Sequence, residues 1–205
     1  MKEKSGVKQT IITKALEQFS AKGYEGVPVS ELTEAAGITK PTLYYYFKSK
    51  EGLFEYICKI YYEQLNKLIT EKAVYNPNPK NYNEDIILTL SKVTNAYFSF
   101  AKTNEAFFRI TLANLSMPTS STVYKIAEKY HFTQFKIIDS MFQIMAKTHG
   151  NLKGKSKTLT WSFLGIINSY IGLFFNGSEL TAGKTALNDK TIQELVHQFM
   201  HGIFA

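Results

Sequence analysis

The stretch TKPTLYYYFKSKEGL, residues 39–53, decides the fold of this chain. Thr39 is a predicted helix N-cap, and Pro41 falls in the first turn, where a missing N–H costs nothing. The spacing of Leu43 and Phe47 predicts a short helix over about 40–47 with these two residues on its inner stripe. At about 100° per residue, small, aromatic and basic side chains then point away from that stripe: Pro41, Thr42, Tyr45 and Lys48, with Tyr44 and Tyr46 on its flanks. Such a helix suits a groove better than a core.

The segments on either side complete a helix-turn-helix pattern. Residues 28–37, PVSELTEAAG, predict a helix that begins at Pro28 and buries Val29, Leu32 and Ala36. Gly37 is predicted to end it in the left-handed conformation, with Ile38 folding back onto its apolar side. A turn of about three residues then leads into the tyrosine helix, and Ser49 is predicted to cap the helix after it. An amphipathic first helix, closed by Gly23, precedes the pair and carries Ile12, Ala15, Leu16 and Phe19.

A longer set of residues carries a family resemblance: Ile12, Ala15, Leu16, Phe19, Gly23, Tyr24, Leu32, 35–38, Leu43, Tyr44, Phe47, Lys50, Glu51, Leu53 and Phe54. In these residues the chain resembles the DNA-binding domain of the TetR family of bacterial transcriptional regulators. One departure is Gly26-Val27-Pro28, which stands where that family usually caps its second helix with Thr or Ser. The resemblance implies an all-α fold of about nine helices, with a helix-turn-helix DNA-binding domain over 1–49 and a helical effector-binding and dimerisation domain over 50–205.

Composition sets wider limits. The chain has 205 residues, a net charge of +7 and a pI near 9.2, as expected of a protein that meets polyanions. Residues 1–50 hold eight lysines and five glutamates, so only +3 of the charge lies in the predicted DNA-binding domain. A single cysteine, Cys58, excludes an internal disulfide and fits a reducing cytoplasm. We see no targeting segment, and the most apolar run, 161–175, is expected to be too short and too polar for a membrane span.

Helical periodicity continues to the end of the chain, without strand alternation or a repeat. The predicted helices cover about 50–73, 83–102, 105–115, 120–148 and 157–175, and a last one is capped by Asn188. The fourth helix is expected to turn Leu53, Ile57, Ile60, Tyr61, Leu65 and Leu68 inward, and the last one Ile192, Leu195, Val196, Phe199 and Ile203. The eighth helix is apolar nearly all round, so a second copy of the chain is expected to cover one face. The resemblance implies a homodimer through the last two helices.

The second domain is rich in aromatic residues, most of which are expected to fill its core. In the family the middle helices surround a cavity for an apolar or amphipathic effector, so the resemblance implies a small-molecule site among aromatic walls and a few polar groups. The candidate ligand-binding residues are Tyr61, Tyr97, Phe107, Phe108, Phe142, Trp161 and Asn168. Nothing in the sequence indicates the occupant.

Two other motifs were weighed against these. The segment GNLKGKS, residues 150–156, is one residue short of a phosphate-binding loop and follows a helix instead of a strand. His197 and His201 have a spacing that suits metal binding from one helix face, but a solvated or dimer-surface pair is the favoured interpretation. We find no nucleophile elbow, nucleotide fingerprint or catalytic carboxylate pair. The sequence therefore predicts no enzyme activity, no cofactor and no metal.

The sequence thus predicts a cytoplasmic transcriptional regulator, most simply a homodimeric repressor that a small-molecule effector releases from a double-stranded DNA operator. Base-edge candidates are Lys40, Thr42, Tyr45 and Tyr46, and phosphate candidates are Thr39, Tyr44, Lys48 and Lys50, with Pro41 beside them on the same helix. Open alternatives are an activator, a DNA-bound adaptor regulated by a protein partner, and an enzyme that has kept a helix-turn-helix.

Overall fold

The computed structural model describes residues 2–78, 80–81, 84–177 and 186–202. Over these ranges the chain forms nine α-helices, one 3₁₀ segment and no strand, which confirms the all-α prediction. The helices are α1 (Lys2–Lys22), α2 (Val29–Ala35), α3 (Lys40–Phe47), α4 (Lys50–Lys72), α5 (Ile86–Thr103), α6 (Glu105–Asn114), α7 (Thr122–Thr148), α8 (Ser156–Asn176) and α9 (Asp189–His201), with the 3₁₀ segment at Gly150–Leu152.

The helices divide between two compact units. The first comprises Met1–Glu63 and Asn104–Lys129, and the second comprises Gln64–Thr103 and Tyr130–Ala205. Both α4 and α7 therefore contribute residues to each unit, and α6 belongs to the first. The functional boundary at residues 49–50, where α4 begins, stays a prediction.

The core of the first unit follows the predicted stripes of its helices. In α1, the apolar positions Ile12, Ala15, Leu16 and Phe19 are buried, and α1 packs against α2 and α6. The apolar residues buried around them come from the other segments of the unit: Val27, Leu32, Leu43, Phe47, Leu53, Phe54 and Ile57. Burying a side chain of this size stabilises a fold by about 1.5–3 kcal/mol. These contacts hold α2 and α3 against α1 and α4.

In the second unit, α5 packs against α8 and α9, and α8 packs against α9. The last helix begins as predicted, because the Asn188 side chain accepts a hydrogen bond from the Thr191 backbone N–H at 3.0 Å. Its inner residues Ile192, Leu195 and Val196 are buried, and Phe199 is half-buried. Ile203, the last residue of the predicted stripe, lies outside the described residues.

Some local predictions are wrong. Pro28 does not begin α2 but takes the N-cap position with extended backbone, φ −73° and ψ 157°, so the helix starts at Val29. In α4, Ile60, Tyr61 and Leu68 are only half-buried, because the buried face is shifted by about one residue to include a different set: Phe54, Cys58, Tyr62 and Ile69. Val29 and Ala36 are likewise half-buried.

The eighth helix is longer than the apolar run inside it. α8 has 21 residues, close to its predicted range of 157–175, whereas the apolar run 161–175 covers only part of it, and the most apolar part of α8 has a mean hydropathy of 1.3. By length and composition it is the one helix among the described residues that satisfies the requirements of a membrane span, so the expected exclusion on length is wrong. Core helices of soluble proteins pass the same test. Only 28% of that window is buried within one chain.

Candidate nucleic-acid interface

Local hydrogen bonds define both ends of α3. The Thr39 hydroxyl accepts a hydrogen bond from the Thr42 backbone N–H at 3.4 Å and shares a second with the Thr42 hydroxyl at 2.9 Å. At the other end, α3 stops at Lys48, the C-cap residue. Its φ of 67° is positive, which is uncommon for residues other than glycine. The Ser49 hydroxyl then accepts a hydrogen bond from the Gly52 N–H at 2.9 Å and caps α4, as predicted.

The turn before α3 also has the predicted geometry. Gly37 ends α2 with a φ of 64°, and the Ile38 N–H donates to the Thr33 carbonyl at 2.9 Å. These bonds complete a helix C-cap, which satisfies carbonyls at the end of α2 and fixes the direction in which the chain leaves it.

One side of α3 is buried and the other is open. Leu43 is fully buried and Phe47 is 5% exposed, so these two residues attach the helix to the first unit. Tyr45 is 64% exposed and Tyr44 is 43% exposed, although tyrosine rings usually find cover in a single folded chain. Pro41 and the other predicted DNA-contacting residues Thr39, Lys40 and Lys48 are also exposed, while Thr42, Tyr46 and Lys50 are half-buried. The structure thus brings all nine predicted residues together on and beside α3.

Electrostatics favour an anion on this surface. The first turn of α3 contains no acidic residue, and neither Lys40 nor Lys48 forms a salt bridge within the part of the chain that the structure describes. By contrast, Lys22, away from the α3 surface, is paired with Glu31. Positive charge at an exposed, unneutralised site is what a phosphate backbone attracts.

Two further lysines are held over aromatic rings. Lys50 places its Nζ 4.2 Å from the centroid of the Tyr24 ring, and Lys8 places its Nζ 3.8 Å from the centroid of the Tyr56 ring. Tyr24 is itself packed between Phe19 and Phe54, with centroid distances of 5.4 and 5.0 Å. Burial, with the neighbouring carboxylates of Glu51 and Glu25, raises the pKa of Tyr24 to about 12, so the ring is a neutral phenol. Sequence patterns gave no sign of either cation–π contact.

Gly52 is a second residue that the sequence analysis missed. A Cβ at this position would lie 2.1 Å from the backbone carbonyl oxygen of Phe47, which is far inside any permitted contact. The last residue of α3 and the first turn of α4 therefore approach each other as closely as they do because position 52 is glycine. The glycine sits inside the stretch that decides the fold, but its role depends on a backbone approach that the sequence pattern does not show.

The predicted ligand-binding residues are divided between the two units. In the first, the Tyr61 ring stacks on Phe107 at 4.9 Å, and Phe107 meets Phe108 edge-on at 6.5 Å. In the second, Phe142 packs against Phe163 and Phe199, and Trp161 contacts the Phe135 ring at a tilted angle, with 66% of its own surface exposed. Trp161, a candidate ligand-binding residue, thus lies on the surface of one chain, and its role in ligand binding stays a prediction.

One of these residues has an unsatisfied polar group. Tyr97 is 2% exposed, and its hydroxyl makes no hydrogen bond with any described residue of the chain. Burial raises the pKa of the Tyr97 hydroxyl far above its ordinary value, so the group stays protonated and can donate. A buried hydroxyl without a partner costs about 1–3 kcal/mol, which a bound polar group could recover. Asn168 is half-buried on α8.

Comparison with known proteins identifies the surface around α3. The family model "Bacterial regulatory proteins, tetR family" matches residues 11–57, which contain the end of α1, all of α2 and α3 and the start of α4. Residues 11–57 are therefore a DNA-binding domain of the TetR family. The chain is thus a DNA-binding transcriptional regulator with an N-terminal helix-turn-helix, of which α3 is the second helix.

Similarity to individual proteins extends beyond the residues that the family model matches. A negative transcriptional regulator of the biofilm operon icaADBC, IcaR of Staphylococcus aureus, is 27% identical over 146 residues, covering 67% of this chain and 76% of the relative. The crystal structure of FadR from Bacillus subtilis in complex with stearoyl-CoA has a TM-score of 0.75 at 17% identity, covering 95% of this chain and 98% of FadR. The structure of AibR with isovaleryl coenzyme A and operator DNA has a TM-score of 0.68 at 18% identity, covering 94% and 97%. At these identities the two structures show the shared fold.

Proposed function

We propose that this TetR-family regulator is a homodimeric repressor that an effector molecule releases from its operator. The observation that carries the proposal is the exposed face of α3, where tyrosine and lysine side chains stay open to solvent while Leu43 and Phe47 are buried. IcaR is a negative transcriptional regulator, which supports repression over activation. Family membership and the absence of any catalytic pattern in the sequence support a role without enzyme activity, in the cytoplasm where the DNA lies.

Contacts to DNA are divided by chemistry. Lys40, Thr42, Tyr45 and Tyr46 are proposed to meet base edges, since Thr and Tyr can contact thymine methyls and exchange hydrogen bonds in the major groove. Four others are proposed to contact phosphates: Thr39, Tyr44, Lys48 and Lys50. Lys50 stands at the N-terminus of α4, whose unpaired N–H groups add positive potential there. Thr39 already caps α3, so its contact would be shared with that hydrogen bond.

A second copy of the chain is the proposed cover for α8. Along one edge of this helix, at intervals of four residues, Trp161, Gly165, Ser169 and Leu173 are all exposed. Trp161 and Leu173 are large apolar side chains exposed on a helix apolar enough to span a membrane. Such an exposed apolar surface usually marks a site where another surface binds. A symmetric dimer would bury this edge and present two α3 helices to half-sites about 34–36 Å apart.

The effector is proposed to be a small amphipathic molecule bound in the helical domain. The unpaired Tyr97 hydroxyl in the second unit supports this, and FadR and AibR, which have the same fold, are described with acyl-CoA molecules. Acyl-CoA thioesters are therefore the first class to try. Because α4 contributes residues to both compact units, a ligand that favours one position of α4 could change the spacing of the two α3 helices.

The proposal is tested with the full-length chain. In vitro selection from random duplexes should yield a palindromic site bound by two chains, and light scattering should give the mass of a dimer. Trp161→Glu should shift the protein toward monomer and reduce operator affinity, while Ser162→Glu on the neighbouring exposed position serves as a matched control. A chain that remains monomeric at micromolar concentration, or selection that returns no preferred site, would contradict the proposal.

Effector release needs a separate measurement. Acyl-CoA thioesters of increasing chain length are added to the protein–operator complex, and Tyr97→Phe is compared with the unmodified chain. The expected result is weaker DNA binding at saturating ligand, with a weaker response in Tyr97→Phe because the hydroxyl no longer donates. Release by a protein fraction but by no small molecule would favour the adaptor, and stimulated transcription in a reporter assay would favour an activator.

A further inference from the structure

Two imidazole rings lie side by side near the end of α9. His197 and His201 are both exposed, and their ring centroids are 4.7 Å apart with an angle of 46° between the ring planes. The helix places the two residues four positions apart, on one face. The spacing by itself is common on solvated helices, so the ring separation is the informative quantity.

This separation matches what one metal ion requires. A ligating nitrogen about 2.1 Å from the ion puts each ring centroid about 3.2 Å from it. Two rings that subtend an angle between 90° and the tetrahedral value at the ion then have centroids about 4.5–5.2 Å apart. The observed 4.7 Å falls inside that interval, so the spacing of the two exposed rings fits a shared ion once rotation about their side-chain bonds turns one nitrogen of each ring toward it.

The surroundings leave room for the ion and its water. His197 lines a groove of about 570 Å³ between α5 and α9, together with Ile87, Ser91, Gln193 and Glu194. Glu194 lies one turn before His197 on the same face; its carboxylate is 3.8 Å from the Nζ of Lys190, an exposed pair that a bound metal ion would have to compete with. No group of three or more His, Cys, Asp or Glu in the described ranges is arranged to hold a metal, so two imidazoles and water would complete the coordination.

The geometry points to a binding site for a divalent transition-metal ion of the Zn²⁺ and Ni²⁺ class, held by His197 and His201 with one ion per chain. Imidazole ligands select these ions over Mg²⁺ and Ca²⁺, which prefer oxygen. The ion would link the last two turns of α9 to each other. Neither histidine belongs to the DNA surface or to the predicted effector residues, but both lie on α9, one of the two helices of the predicted dimer interface, so metal binding is measured on the dimer and on the Trp161→Glu variant.

The test uses the full-length protein without a polyhistidine tag. Calorimetric titration with Zn²⁺ should give one ion per chain at micromolar affinity, and His197→Ala and His201→Ala should each weaken binding at least tenfold. His131→Asn, which changes a half-buried histidine elsewhere, is the matched control and should bind as the unmodified chain does. Circular dichroism and operator binding show that each variant is folded.

Two further readouts separate ligation from simple charge attraction. Mg²⁺ should not compete with Zn²⁺, and Cu²⁺ bound to the protein should show nitrogen couplings from two imidazoles in its electron paramagnetic resonance spectrum, reduced to one in His201→Ala. The inference is overturned if the unmodified chain takes up no Zn²⁺ in the micromolar range, if uptake survives both alanine substitutions, or if one ion is bound for every two chains.

Discussion

Removing the ring beneath Lys50 should weaken DNA binding without changing its salt dependence. Lys50 is a proposed phosphate contact, and its Nζ is held 4.2 Å from the centroid of the Tyr24 ring. A cation–π contact of this kind is worth about 0.5–1 kcal/mol at exposed sites and about 2 when desolvated. Lys50 is half-buried, so we assign about 1 kcal/mol. Tyr24→Leu keeps apolar bulk against Phe19 and Phe54 but releases the ammonium group.

The released lysine must be immobilised when DNA binds, which costs about 0.5–1.5 kcal/mol for a side chain of this kind. We therefore expect Tyr24→Leu to weaken binding about fivefold on specific and random duplexes alike. The charge itself remains, so the slope of log affinity against log salt should not change. Lys50→Ala removes the charge, and should lower that slope by about one as well as weakening binding.

Fluorescence anisotropy over a range of salt concentrations measures both quantities for a double-mutant cycle. In the Lys50→Ala background, Tyr24→Leu should have no further effect on affinity. Tyr24→Phe is the control: it keeps the ring, and because the pKa of Tyr24 is raised to about 12 it removes no charge at neutral pH. Additive losses in the double variant, or tighter binding by Tyr24→Leu, would refute the reasoning, since the ring would then act only on folding or would compete with the phosphate.

Three other substitutions test packing and electrostatics through their effect on stability. Gly52→Ala should destabilise the protein by about 1–3 kcal/mol in urea denaturation and weaken DNA binding, because its Cβ would meet the Phe47 carbonyl oxygen; a stability gain of the kind usual in helices would contradict this. Burial lowers the pKa of His131 to about 4 in the folded chain, so as the pH falls below about 6.5 the unfolded chain takes up a proton that the folded chain does not. The free energy of unfolding should therefore fall by up to about 3 kcal/mol as the pH is lowered from about 6.5 to 4, and in His131→Gln this loss should be absent. Asp85→Ala should lower the free energy of unfolding by about 1–3 kcal/mol, because the buried His149 Nε2 loses the carboxylate 2.8 Å away; an unchanged free energy of unfolding would show that the pair is dispensable.

Features that depend on contacts within one or two helical turns could be predicted from the sequence. The Thr39, Ser49 and Asn188 caps and the left-handed Gly37 depend on hydrogen bonds between residues three to five positions apart, and each is present as predicted. The bounds of α3 follow from them. The prediction that Leu43 and Phe47 face inward also holds, because a short helix has only one stripe that can be buried.

Contacts between segments distant in the sequence could not be predicted. The buried group formed by Tyr75, Asp85 and His149 joins residues 64 to 74 positions apart in the chain, with bonds of 2.8 and 2.9 Å to the His149 Nε2. No helical pattern in the sequence indicates that these three residues contact one another. The sequence predicted that one face of the eighth helix would be left for a second copy of the chain, but not that Trp161 lies on the exposed face, because a helix that is apolar all round has no stripe to mark its inner side.

The central claim is that the outward tyrosine face of α3 reads base sequence while the lysine that follows it holds the phosphate backbone. The most direct measurement compares Tyr45→Ala and Lys48→Ala on the selected operator and on a random duplex of equal length. The account predicts that Tyr45→Ala loses about 1–3 kcal/mol on the operator and little on random DNA, whereas Lys48→Ala weakens both duplexes equally and lowers the salt slope by about one. Equal losses on the two duplexes for both variants would contradict it.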